Sequence, residues 1–218
     1  MSSVNTTALA TVLCEAMASI HQRGWCEGTG GNFSCVLHRE PLRLLMAPSG
    51  VPKGSVAPRD LIQVDGCGAV LEGNGRASAE TELHLEIVRS CEAGAVLHTH
   101  SQAGTLLSQW ALEQPMRAVG SLELRDLEML KGLEGITTHD CAVQVPVLAN
   151  DQNLTRLSAQ ARPLLSGAPY GLLIAGHGLY AWGRNLGSAM RHLEILEFLL
   201  EQRWRRLLLD ALSPRPLT

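Results

Sequence analysis

Apolar positions along the chain alternate between two spacings. From residue 5 to 23, Leu9, Val12, Leu13, Ala16, Met17 and Ile20 recur three and four apart, which predicts an amphipathic helix. Asn5 or Thr6 would cap its start, and Gly24 would end it in the left-handed conformation. A glycine-rich turn, "GWCEGTGG", then runs into an apolar strand, "NFSCVL". "LRLLM" predicts a second strand closed by a Pro/Ser/Gly turn, and "LIQVDGCGAVL" two short strands around a turn at Asp65–Gly68. Residues 78–92 return to the helical spacing, with Leu83, Ile87 and Cys91 on one side.

"AVLHTHS" reads as a strand and residues 101–112 as a helix. "LRDLEMLKGL" predicts a short helix, "CAVQVPVL" a strand, and residues 150–165 a helix capped by Asn150 or Asp151. "YGLLIAGHGLYAWG" predicts two strands joined at Gly176–Gly178. A long apolar stripe from Asn185 through "SAMRHLEILEFLLEQRWRRLLLD" predicts a final helix with a basic end that suits the helix dipole. Strands and helices alternate without linker or repeat, so one α/β domain over residues 1–218 is expected, with helices on both faces of a sheet. Periodicity leaves strand order and direction open.

Composition narrows the function classes. The 218 residues are 45% apolar and carry a net charge of −3, so a dominant nucleic-acid surface is not expected. No apolar run reaches the roughly 18–20 residues of a membrane helix. The six cysteines form no C-x-x-C pair, and the start shows no charged segment followed by an apolar one. Reduced thiols in a cytoplasmic protein are expected.

Candidate chemistry begins at His98 and His100. Residues two apart on a strand face the same side, so the two imidazoles project together while Thr99 points away. They can bind one divalent metal, or they can be two polar groups at a strand end. A third imidazole, His177, also follows an apolar strand, and Gly176 and Gly178 on either side permit a close backbone approach. Three histidines would leave an open position on a zinc ion, the catalytic arrangement. His21 and His192 read as packing or surface residues of helices, and His84 shares a helix face with Glu80.

Two carboxylates and two turns extend the set. Glu80 lies at a helix start, where the dipole favours its ionised form, and Glu128 lies in a charged segment. The turns "EGTGGN" and "PSGVPKG" can present backbone N–H groups to a phosphate, with Lys53 adding a charge. Neither has the pattern of a Walker loop or a dinucleotide fingerprint.

Taken in order, "GTGGNFS", "APSGVPKGSV", "DLIQVD", "SAETELH", "AVLHTHS" and "GLLIAGHGLYAWG" resemble the class II aldolase/adducin-head family, over about residues 8–205. The resemblance implies a three-layer α/β/α fold around a mixed sheet, assembled as a homotetramer. It implies one Zn2+ per subunit on His98, His100 and His177. It places a substrate phosphate at Gly28, Thr29, Gly30, Gly31, Asn32, Ser49, Gly50 and Ser78, with Lys53 beside it. "SAETELH" with "LEMLKG" and "RHLEILEFL" is most similar to the family's dehydratase branch. That branch implies loss of water from a small phosphorylated ketose, 5-methylthioribulose 1-phosphate, in methionine salvage.

Glu128 falls where this branch has its acid/base glutamate, and Glu80 where the aldolase branch has its catalytic carboxylate. Family aldolases use a tyrosine from the C-terminal region, and no tyrosine follows residue 185 here. The 4-epimerase branch has an aspartate at the position of Glu80. Two alternatives therefore stand behind the dehydratase: a zinc aldolase or epimerase for another short sugar phosphate, and a non-catalytic assembly head. Heads of the latter kind lose the histidines that this chain has.

Overall fold

The computed structural model describes residues 3–113 and 117–212. In chain order the elements are α1 (Ser3–Gln22), β1 (Asn32–Arg39), β2 (Leu42–Met46), β3 (Ile62–Asp65), β4 (Val70–Glu72), α2 (Thr81–Cys91) and β5 (Ala95–Thr99). They continue with α3 (Gln102–Glu113), β6 (Val119–Arg125), β7 (Ala142–Leu148), α4 (Leu154–Leu165), β8 (Gly171–Ile174), β9 (Gly178–Gly183) and α5 (Leu186–Leu212). Among the described residues the strands form one sheet in the order β4-β3-β2-β1-β5-β9-β8-β7-β6. Neighbours are antiparallel except β7 and β8, whose parallel pairing is bridged by α4, so the sheet is mixed as expected.

Strand alternation divides the core into two layers. Ala95 and Leu97 of β5, with Leu179 and Ala181 of β9, pack with Leu13, Met17, Leu107 and Leu196 of α1, α3 and α5. Val96 of β5, with Tyr180 and Trp182 of β9, packs with Leu83, Ile87, Leu157 and Ala161 of α2 and α4 on the other side. That is the three-layer α/β/α arrangement. Among the described residues no helix is long and apolar enough to cross a membrane.

Several element ends differ from the expectation. α1 already runs at Ser3, so Thr6 lies inside the helix and does not cap it. Gly24 does take a left-handed φ of +71° after its end. α2 begins at Thr81, three residues late, because Glu80 occupies the cap position. α4 is capped by Asn153, whose side chain accepts from the Arg156 N–H, and not by Asn150 or Asp151. The helix expected over "LRDLEMLKGL" is a 3-10 turn at Glu128–Gly132, preceded by a strand that reaches Arg125. Leu124, Leu127 and Leu130 are three apart, which imitates a helical stripe across a strand end and a turn.

Candidate active site

Three central strands carry the site. Register sets Asn32 of β1 opposite His98 of β5, and His98 opposite Tyr180 of β9. His98 is fully buried and stacks on the Tyr180 ring, with centroids 3.9 Å apart. Its Nδ1–H donates to the Leu179 carbonyl at 3.0 Å, which leaves Nε2 as a bare lone pair aimed outward. His100 follows the strand, its backbone N–H bonded to the Trp25 carbonyl at 2.7 Å. His177 sits in the β8–β9 turn. At Gly178 an added Cβ would lie 1.9 Å from the Thr99 carbonyl oxygen, so only glycine lets that turn press against the end of β5.

The three imidazoles meet through their Nε2 atoms. The separations are 2.8 Å for His98 and His100 and 3.3 Å for His98 and His177. Glu80, at the cap position of α2, brings Oε1 to 2.9 Å from His177 Nε2 and 3.7 Å from His98 Nε2. One ligand atom from each of the four residues lies within 4.8 Å of the others. Burial pushes the His98 and His100 imidazoles below their ordinary value, so neutral rings are favoured. Burial alone would raise the Glu80 carboxyl. The His177 hydrogen bond and the surrounding imidazoles outweigh it and hold the group down at about 2. Neutral nitrogens this close, with a carboxylate beside them, repel one another unless a cation or proton lies between. The donor set of three imidazoles and one carboxylate therefore fits a divalent metal such as zinc.

Neighbours fix Glu80. Asn32 donates its amide N–H to Glu80 Oε2 and, at 3.2 Å, to Ser78 Oγ, while the Ser78 hydroxyl donates to Oε2 at 3.3 Å. Asn32 is thus occupied with the carboxylate. Gly28, Gly31 and Gly50 all take left-handed φ values, +60°, +79° and +77°, so both expected turns are tight glycine turns. Gly30 backs directly onto the site: a Cβ there would fall 2.9 Å from His100 Nδ1. Lys53 is buried, and its ammonium donates to the Thr29 and Val51 carbonyls, each at 2.9 Å. It ties one glycine turn to the other.

A cleft of about 890 Å³ opens from Glu80 and His177. Ser49 and Ser78 line it near the carboxylate, Leu85, Leu154 and Leu157 give it an apolar wall, and Arg76 and Arg89 add positive charge. Glu128 is elsewhere: it stands exposed on the 3-10 turn after β6, paired with Lys131 and 3.8 Å from His139 Nδ1. The Lys131 hydrogen bond holds its carboxyl below the usual range.

Sequence reasoning missed Arg76, Arg89 and Glu197. Glu197 lies on α5 behind the histidines, 2% exposed, and accepts from the Thr99 hydroxyl. The signal was present: Leu193, Leu196, Glu197 and Leu200 have the spacing of one buried face, with a carboxylate at an apolar position.

Comparison with known proteins follows this geometry. The family described as Class II Aldolase and Adducin N-terminal domain matches residues 11–204. The chain is similar to the methylthioribulose-1-phosphate dehydratase of Sorangium cellulosum, 40% identical over 199 residues, covering 89% of this chain and 91% of that protein. It is 42% identical over 209 residues to the protein of the same name from Xanthomonas campestris pv. campestris, covering 95% and 92%. Among solved structures it resembles YgbL from Escherichia coli, with a TM-score of 0.76, 25% identity, and coverage of 98% of this chain and 93% of that one.

Proposed function

The chain belongs to the class II aldolase and adducin N-terminal domain family, and on that premise we propose that it is a metal-dependent dehydratase of 5-methylthioribulose 1-phosphate. The observation that carries the reading is the convergence of His98, His100 and His177 with Glu80 at the mouth of the cleft. His98, His100 and His177, with Glu80 beside them, would hold a divalent ion, which we take to be one Zn2+ per subunit and which would supply Lewis acidity toward the substrate.

The chain's own groups do the rest. We assign the phosphate to the two glycine turns, through the N–H groups of Gly28, Thr29, Gly31 and Gly50; those of Gly30 and Ser49 are given to the Glu27 and Arg76 carbonyls, and the Ser78 hydroxyl to Glu80. Lys53 supports them from behind by clamping the two turns together. Leu85, Leu154 and Leu157 supply the apolar wall that a methylthio group needs. Glu80, kept ionised by the His177 hydrogen bond and the neighbouring imidazoles and oriented by Asn32 and Ser78, accepts hydrogen bonds from substrate hydroxyls.

The reaction removes the C3 proton and the C4 hydroxyl as water, and the resulting enol tautomerises to 2,3-diketo-5-methylthiopentyl 1-phosphate. We assign the proton transfers to Glu128. Because Glu128 stands on the surface, it reaches the reacting carbons only when another copy of the chain presents it. A cytoplasmic homotetramer with shared sites is the assembly we infer.

The test is product identification by mass, with purified and metal-analysed protein and the phosphorylated ketose. Loss of one water, abolished by chelator and restored by zinc, supports dehydration. Two smaller carbonyl fragments would make the protein an aldolase. Absence of metal at the three histidines would support an assembly role instead.

A further inference from the structure

The segment His98-Thr99-His100-Ser101 has two faces, and only one belongs to the site described above. On the opposite face Thr99 and Ser101 point into the layer covered by α5, where both are buried. There they meet one carboxylate. Glu197 accepts a hydrogen bond from the Thr99 hydroxyl, and the Ser101 hydroxyl lies beside the same carboxylate and favours its ionised form. Ser101 Oγ in turn accepts from the Gly104 N–H at 3.0 Å, and the Ser101 carbonyl accepts from the Thr105 N–H at 2.9 Å, so the same residue starts α3. Glu197 therefore holds the last residue of β5 and the residue before α3 in one grip, and the residue between them is His100.

We propose that Glu197 is a positioning residue for the metal centre, fixing the backbone on both sides of His100 through Thr99 and Ser101. The inference rests on the metal reading of the three histidines. His100 needs such support more than its partners do. His98 is locked inside β5 by a ring hydrogen bond to Leu179 and by stacking on Tyr180, whereas His100 lies beyond the strand end. Apart from its backbone bond to Trp25, what surrounds it in sequence is the pair of hydroxyl anchors.

A role in core packing alone would be served better by leucine. Leu193, Leu196 and Leu200 flank Glu197 on the same face of α5, and a buried carboxylate has a large desolvation cost that an apolar side chain does not. Its carboxyl is pushed up to about 7 by burial despite the two hydroxyls beside it. What a carboxylate provides in exchange is a directed acceptor for the Thr99 hydroxyl and a polar anchor beside the Ser101 hydroxyl. Groups that support metal ligands in this way affect metal affinity without touching the metal.

The experiment compares Glu197→Gln, Thr99→Val and Thr99→Ser with the parent protein. Zn2+ affinity is read by competition with a chromophoric chelator, ligand geometry by the visible bands of the Co2+-loaded protein, and stability by melting of the metal-free form. Glu197→Gln and Thr99→Val should weaken Zn2+ binding by about 10–100-fold and move the cobalt bands, while Thr99→Ser, which keeps the hydroxyl, matches the parent. Glu197→Gln and Thr99→Val proteins that melt lower yet bind Zn2+ as the parent does, with the same bands, would overturn the inference and leave Glu197 a packing residue. Failure of the metal reading looks different: the parent itself would bind Zn2+ no better than His100→Ala.

Discussion

Replacing Glu197 with glutamine should change how stability depends on pH, with a definite sign. Burial raises the Glu197 carboxyl from its ordinary 4.5 to about 7 in the folded protein, with Glu201 on the same helix adding to the rise. The other charges around it are Glu194 on the same helix and Arg23 beyond α1, which pair with each other at 2.7 Å. In the unfolded chain Glu197 titrates near its ordinary value again. Between the two values the folded protein keeps a proton that the unfolded chain has released, so stability falls as pH rises through that window. A difference of about 2.5 pH units, at roughly 1.4 kcal/mol each, amounts to about 3.5 kcal/mol.

Glutamine has no proton to lose. The stability of Glu197→Gln relative to the parent should therefore be constant below the ordinary carboxyl value, climb by about 3.5 kcal/mol between that value and about 7, and level off above it. Urea unfolding over a pH series reads this directly. Chelator keeps protons released by metal binding out of the balance, and equal slopes with urea confirm that both proteins expose the same surface. A difference that stays flat across the series, or one that climbs in the acid direction, would refute the reasoning.

Gly178→Ala should cost at least about 2 kcal/mol and loosen metal binding, because its methyl would collide with the Thr99 carbonyl; denaturation and zinc titration together check it. Arg162→Ala removes a two-pronged contact with Glu86, at 2.7 and 2.8 Å, that links α2 to α4, and should lower stability in urea unfolding at neutral pH. The Arg162 hydrogen bonds hold the Glu86 carboxyl below its ordinary value. This contribution is therefore present above that value and is lost as pH falls through the lowered one, so the gap between variant and parent should close in acid. Mixing inactive Glu128→Gln with inactive His98→Ala, after partial unfolding and reassembly, should restore up to about a quarter of the parent activity if neighbouring copies share sites; no recovery would mean that each chain completes its own.

The histidine site was legible because strand geometry makes H-x-H a same-side pair, and because the glycines around His177 announce a close approach. Glu80 was legible as a helix-start carboxylate, and its place beside the imidazoles follows from α2 leading into β5. Other residues were not readable. Lys53 looks like a free charge in "PSGVPKG", yet three-dimensional closure of the turns surrounds its ammonium with the carbonyls of Thr29 and Val51. β6 escaped because its alternation is weak and is followed by leucines at a helical interval. Glu128 matches the expected position in the chain yet stands on the surface, since a one-dimensional pattern carries no information about which residues a side chain meets in space. Glu197 hides in an apolar stripe, where only its unusual place among leucines marks it.

The order β1-β5-β9 at the middle of the sheet also sets a timetable for the nascent chain. Glu80, His98 and His100 have all been joined before half of the 218 residues are made, and by then β1 and β2 exist to pair on one side of β5. The other edge of β5 stays bare until β9 arrives, and His177 precedes β9 by a single residue. Synthesis therefore presents three of the four clustered groups on an open strand edge for a long interval, and then delivers the fourth together with the strand that closes it. Docking of β9 and closure of the histidine cluster become one event, so the four groups come together only when the sheet is sealed at its centre.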